Sequence, residues 1–385
     1  MRVLVAPNAF KGSLSPAAAA HSLSAGLRRS LEDVDVAEFP ISDGGQGFVD
    51  AVVTAKNGEF VEVEVEGPLG DHVRARFGLI GAGRTAVVEM ASASGITLIP
   101  AEKRDPLKAS TYGTGQIIRA ALERGCDKLI VGIGGSATND GGAGMAQALG
   151  ARLLDPDGRD LGRGGGELAR LESIDATGVD ERLRMVDVIV ACDVTNPLCG
   201  ETGASAVYGP QKGATPEMVR ILDRNLFRFA QVMKRDLGAD VLSIPGSGAA
   251  GGLGGGLLAF AGARLMPGFE IVSGILGLEA AVRACDLVVT GEGRLDLQTL
   301  SGKGPLGVAR LARGSGVPVV AVAGQVEDGA WDAMNEEFDA VVVASGGPST
   351  EQATMAAAGT LLERAGLMIG RMISVGRVLE RRDTP

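Results

Sequence analysis

Six short apolar runs, Val3–Ala6, Val34–Phe39, Lys128–Val131, Leu287–Thr290, Val319–Ala323 and Ala340–Ala344, each break off into glycine or polar residues. A run apolar on both faces is stable as a strand only where both faces are covered, which is the environment of a parallel sheet. Alanine-rich helical stretches, Pro16–Arg29, Thr114–Arg124 and Leu306–Arg313, separate several of these runs. Strand–helix alternation of this kind builds a doubly wound sheet.

The chain between these runs has a different period. Val61, Val63 and Val65 alternate with Glu62, Glu64 and Glu66, and Val73, Ala75, Phe77 and Leu79 alternate with polar residues. Period two argues for half-exposed antiparallel strands, with Gly67–Asp71 as the turn and Thr85–Met90 as a third strand. The fold expected is therefore α/β. Residues 1–50, 107–145 and 281–385 form a doubly wound, mostly parallel domain of Rossmann or flavodoxin type. Residues 51–106 and 146–280 form a mixed α/β domain inserted into it. Thr350–Arg382 reads as helix; its Gly359, Gly366, Gly370 and Gly376 either permit close helix packing or simply weaken an amphipathic helix, and the second reading is the simpler.

Composition narrows the function. With 45% hydrophobic residues in 385, the chain can bury a large core. A net charge of −10, no basic tract and only 3% aromatic residues exclude nucleic acid as a partner. An anionic substrate would meet a repulsive field, so its site must supply local cations. Cys126, Cys192, Cys199 and Cys285 form no Cys-x-x-Cys pair and read as free thiols in a reducing cytoplasm. No uncharged stretch reaches membrane-spanning length, no apolar signal core precedes Val3, and no feature sets an oligomeric state.

Glycine is abundant, 59 residues, and clusters where apolar runs end. Open parallel sheets bind ligands beyond the carboxyl ends of their strands, so these clusters are the candidates. They are Asn8–Ser13, with Lys11; Ser42–Gly47, with Asp43; Gly134–Gly142, with Gly135, Ser136 and Thr138; and Thr290–Lys303, with Glu292, Arg294, Asp296 and Lys303. Backbone amides at glycine approach phosphate closely, carboxylates hold magnesium, and Lys or Arg offsets transferring charge. Each has a plainer counterpart: Lys11 as a solvated lysine before a helix capped by Ser15, Asp43-Gly44-Gly45 as a turn, Thr290–Lys303 as a surface ion-pair cluster. The strand-end acid Asp193 competes with an Asn196-Pro197 turn.

Several chemistries are ruled out. Gly246–Gly251 fits Gly-x-Gly-x-x-Gly, but it follows a weak strand and has only Glu270 near the expected acid position, which reads as a chance match. No Gly-x-x-x-x-Gly-Lys-Ser/Thr loop and no Gly-x-Ser-x-Gly elbow occur. His21 and His72 are the only histidines, so acid–base work falls to carboxylates and lysines.

At these residues the chain resembles the bacterial glycerate kinase family of the non-P-loop type. The likeness runs through Ala6–Ser15, Ser110–Gly115, Gly134–Gly142, Asp193–Leu198, Tyr208–Ala214, Gly248–Gly254 and Thr290–Lys303. It implies two α/β domains with the active site in the cleft between them, and transfer of the ATP γ-phosphoryl group to D-glycerate with Mg2+, commonly giving 2-phosphoglycerate. The chain departs at Gln46, where the family pattern Gly-Gly-Glu-Gly-Thr has Glu, and at Phe48 in place of Thr. On this reading Asp193 is the base and Lys11 and Lys303 are the catalytic cations. Ser136, Gly135, Thr138, Arg294 and Asn8 bind substrate or phosphate, and Asp43, Glu292 and Asp296 are metal or nucleotide ligands. A nonenzymatic sugar-acid sensor on a kinase scaffold and a nicotinamide-dependent dehydrogenase are the alternatives.

Overall fold

The computed structural model describes residues 1–10, 12–41, 47–296, 299, 304–347 and 350–383. Thirteen strands are described: β1 (Arg2–Pro7), β2 (Asp35–Glu38), β3 (Glu59–Glu66), β4 (His72–Ile80), β5 (Thr85–Glu89), β6 (Lys128–Gly132), β7 (Arg152–Leu154), β8 (Ser173–Asp175), β9 (Asp187–Ala191), β10 (Arg264–Met266), β11 (Leu287–Leu295), β12 (Val319–Val326) and β13 (Ala340–Val343). They fall into two units, Met1–Asp43 with Val272–Pro385, and Gly44–Ile271.

The first unit carries a fully parallel sheet in the order β13-β12-β11-β1-β2. Numbered within the unit this is the 2-1-3-4-5 order of the flavodoxin-like sheet, whose switch point lies between β1 and β11. Val3, Val5, Leu287 and Val289 face the helices Pro16–Ser30 and Ala358–Asp383. Alternation along the strand puts Leu4 and Val288, equally buried, on the opposite face. The first helix has the cap its sequence encodes: Ser15 Oγ accepts from Ala18 N, and Pro16 opens the first turn.

The second unit carries the order β10-β9-β6-β5-β4-β3, parallel from β10 to β5 and antiparallel from β5 to β3, with β7 and β8 as a separate pair. The hairpin β3–β4 and the strand β5 fall where the period-two pattern puts them. Among the described residues no helix is long and apolar enough to cross a membrane.

Two expectations are corrected. Residues 107–145, expected in the first unit, belong to the second: β6 pairs with β5 and β9, and the helix Tyr112–Glu123 packs beside it. A run apolar on both faces announces a central parallel strand, and both units contain such strands, so periodicity cannot say which sheet a run joins. The boundaries accordingly move from 50 to 43 and from 281 to 272. The C-terminal glycines also do more than weaken a helix. A Cβ at Gly366 would stand 2.2 Å from the Leu23 carbonyl oxygen, and one at Gly26 would stand 2.0 Å from that of Glu363. The two helices touch backbone to backbone, which only glycine allows.

Gly366→Val should therefore lower the unfolding free energy by about 1–3 kcal/mol through overpacking. Gly376→Ala, with nothing within 4 Å of the new Cβ, should gain up to about 1 kcal/mol from helix propensity. Urea unfolding midpoints check the contrast; equal midpoints for the two variants would contradict the close approach.

Candidate active site

In the first unit the switch point gathers Asn8, Glu292 and Asp296. Pairing of β1 with β11 ends at Pro7 opposite Gly291, and Asn8 N donates to Gly291 O at 2.8 Å. Past that point β11 continues with β12 alone as far as Leu295 opposite Val326. The strand thus runs five residues beyond the Thr290 end expected from sequence, and Glu292 sits within it as the first residue past β1. Thr299 Oγ1 donates to Glu292 Oε1 at 3.0 Å and also accepts from Asp296 N at 3.1 Å. One hydroxyl therefore ties the two carboxylate-bearing residues together. Buried Asn8 closes a turn on itself, with Oδ1 accepting from Ala9 N at 2.8 Å. Arg294 is exposed and shared between Glu327 at 3.1 Å and Asp296 at 4.0 Å, so two carboxylates already draw on its charge. Lys11, Asp43 and Lys303 lie outside the described residues.

In the second unit β6 and β9 are neighbouring parallel strands, so Gly134–Gly142 and Cys192–Leu198 leave the sheet at the same edge. Gly135 is exposed at φ +74°, a backbone that a β-branched side chain strains, whereas Ser136 and Thr138 are buried. Asp193, half-buried, accepts from Gly268 N at 2.9 Å at the start of the helix Gly268–Leu276.

The centre of this edge is a residue the site reading passed over. Asp140 is fully buried, and its carboxylate accepts from Thr111 N at 2.8 Å, Thr111 Oγ1 at 2.9 Å, Gly142 N at 3.1 Å and Gly144 N at 3.2 Å. One carboxylate thereby satisfies donors at the starts of two helices, Tyr112–Glu123 and Ala143–Ala148. Burial pushes its pKa up, and these hydrogen bonds oppose the rise. Each of these neighbours donates, so the geometry accepts the ionised form. The amides of Gly142 and Gly144, expected to face a phosphate, are thus engaged by Asp140.

Lys212 balances it. The side chain is 2% exposed, and Nζ donates to Thr138 O at 2.7 Å. Burial lowers its pKa to about 7, against the pull of Asp140. Neither residue stood out as a site candidate, although Asp140 lies inside the Gly134–Gly142 cluster and Lys212 inside Tyr208–Ala214; the signal was a lone charge within a glycine-rich motif. Glu89 at the end of β5 was also missed. It accepts from Gly47 N at 2.8 Å and so caps Phe48–Ala55, which glycine cannot cap itself; burial raises its pKa. Phe48 is buried, and Gln46 lies outside the described residues.

The Gly246–Gly251 match is no nucleotide turn. Among the described residues the element before it is the helix Pro216–Leu237 and not a strand, and a Cβ at Gly251 would stand 2.0 Å from Thr138 O, so this glycine serves close packing against the loop. Among the described residues no three His, Cys, Asp or Glu side chains group as a metal cluster, and all four cysteines are free thiols.

Two mostly parallel sheets, each with carboxylates and hydroxyls beyond the carboxyl ends of its strands, define an open-sheet α/β enzyme scaffold. The model of the glycerate kinase family matches residues 3–374. A glycerate kinase of Halalkalibacterium halodurans is 51% identical over 338 residues, covering 88% of this chain and 89% of its own. A protein of Escherichia coli K12 named glycerate 2-kinase is 49% identical over 341 residues, covering 89% and 90%. A crystal structure from Salmonella typhimurium LT2, assigned as glycerate kinase 2, matches with a TM-score of 0.88 at 47% identity over 98% of this chain and 99% of that one. The chain belongs to the glycerate kinase family.

Lys212 makes stability depend on pH. Below about pH 7 the folded and unfolded chains both hold its proton. Above that the folded chain releases it first, while the unfolded chain keeps it up to the ordinary lysine range, so this residue's contribution to stability rises with pH. Relative to Lys212→Met, wild type should gain up to about 1.4 kcal/mol per pH unit from about pH 7 to about pH 10. Chemical denaturation of both proteins across that range checks it; a constant difference would contradict a titrating buried amine.

Proposed function

We propose that the protein is an ATP- and magnesium-dependent kinase that transfers the γ-phosphoryl group of ATP to the 2-hydroxyl of D-glycerate. The observation that carries this reading is the likeness, over most of the chain, to proteins named glycerate kinase, one of them glycerate 2-kinase. The four free thiols suit a reducing cytoplasm.

The second unit takes the acceptor. Glycerate's hydroxyl is a weak nucleophile, so a carboxylate must orient it and accept its proton as the oxygen–phosphorus bond forms and the bond to ADP breaks. Asp193 takes this role in our reading, supported by its position at the strand end shared with Gly134–Thr138 and by the hold of Gly268 N on one of its oxygens. Gly135, Ser136 and Thr138 bind the substrate beside it. The first unit takes the donor. Asn8 stands at its switch point, and Lys11, Lys303 and Arg294 supply positive charge against the net −10 of the chain.

Glu292 and Asp296 fit magnesium, because two nearby carboxylates are the hard oxygen donors this ion takes alongside water and phosphate. Asp43 is the third candidate for metal or nucleotide. When bound, the ion neutralises charge on the phosphate oxygens.

Phosphorus NMR of the product from ATP and D-glycerate should show 2-phosphoglycerate; the 3-isomer would overturn the regiochemistry, and absence of any phosphoglycerate would overturn the activity. Asp193→Asn keeps an oxygen for Gly268 N and should remain folded, with turnover down about 10²–10⁴-fold and ATP affinity unchanged. Near-normal turnover in that variant would reject Asp193 as the base. Lys11→Met should slow transfer and weaken binding of glycerate or ATP, and unchanged kinetics would reject its role.

A further inference from the structure

Lys212 and Asp140 carry charge at the heart of the second unit, and none of the roles above uses them. We propose that they are positioning residues. Together they hold the Ser136–Thr138 turn in its glycerate-binding form, so that glycerate affinity depends on the ammonium of a lysine that does not itself touch the substrate. The inference rests on the glycerate kinase reading.

Lys212 reaches the turn from behind. It ends the short helical turn Pro210–Lys212 and donates to the carbonyl of Thr138. The same carbonyl faces Gly251, whose missing side chain leaves it room. Two residues on, Asp140 is fastened to Thr111, Gly142 and Gly144. The peptide between Thr138 and Asn139 is therefore gripped on both sides, and it cannot turn without leaving a buried ammonium or carbonyl unpaired.

What the grip presents is unfinished. Thr138 Oγ1 and Asn139 Oδ1 are buried with no hydrogen-bond partner among the described residues, next to a carboxylate that takes four donors. A buried hydroxyl left open in so fully paired a setting marks a place for a ligand group. A hydroxy-carboxylate offers both donors and acceptors. The Lys212 ammonium, in a low-dielectric surrounding, also favours an anion that the chain as a whole repels.

The charged groups facing Lys212 are Asp140 from the loop and Arg104, whose Nη1 donates to Gln211 O at 3.3 Å. Arginine keeps its charge throughout the accessible range, and Asp140 is held as an acceptor. Burial raises the Asp140 pKa, so Lys212→Met, which keeps Asp140, is the variant that assigns a change in charge near neutral pH to the lysine.

Steady-state kinetics of wild type and Lys212→Met, for glycerate and for ATP across about pH 6 to about pH 9, test this. In wild type the glycerate KM should rise about tenfold as pH passes about 7, with the ATP KM flat. In Lys212→Met it should be high and independent of pH, with kcat within about threefold of wild type. If Lys212→Met does not fold, the wild-type profile decides alone, supported by Thr138→Val, which keeps the gripped carbonyl and should raise only the glycerate KM. A wild-type glycerate KM flat with pH, or a Lys212→Met enzyme with the wild-type profile, overturns the inference. A wild type with no turnover of glycerate removes the functional reading itself, a different failure.

Discussion

The second unit is organised around one buried carboxylate. Charge removed from water is expensive, and Asp140 is tolerated because Thr111, Gly142 and Gly144 surround it with donors and Lys212 supplies an opposite charge nearby. The same bonds dispose of amides that two helix starts would otherwise leave unpaired. The loop leaving β6, the start of Tyr112–Glu123 and the Tyr208–Ala214 segment are thereby fixed against each other, and the Ser136–Thr138 turn inherits its shape. The two side chains act as a unit, because the charge of each offsets part of the cost of burying the other.

The first unit depends on a simpler device, the place where a parallel sheet reverses its order. β1 and β11 part after Pro7 and Gly291, and beyond them β11 keeps only β12 for company. That leaves Glu292 and Asp296 beside the opening, held in register by Thr299. The two residues stand at the carboxyl end of the central strand, half-buried instead of deep in a core.

Much of this was legible in the residues, and the parts that were not share a cause. The six apolar runs, the Glu–Val alternation of β3 and the Ser15-Pro16 helix start are local patterns, and each produced the element it encodes. Membership of a sheet is not local: Lys128–Val131 looks the same whichever sheet receives it, and pairing with β5 and β9 decides the matter. Gly366 looked like a weak point in a helix until Leu23 of another helix was placed against it. Asp193 draws attention in the sequence because it closely follows an apolar strand. Lys212 does not, since nothing near it in the chain reveals that Thr138, seventy-four residues away, is its partner.

The amino-acid sequence by itself determined the fold class, the strand-end clusters and the family, because these rest on periodicity and on motifs that are contiguous in the chain. The tertiary structure alone decided which strands share a sheet, that Asp140 turns inward to bind helix amides, and that Lys212 is buried with a pKa near 7. The physical reason is that hydrogen-bond partners, dielectric and close backbone approach are properties of segments far apart in the chain, and they exist only once those segments have been packed together.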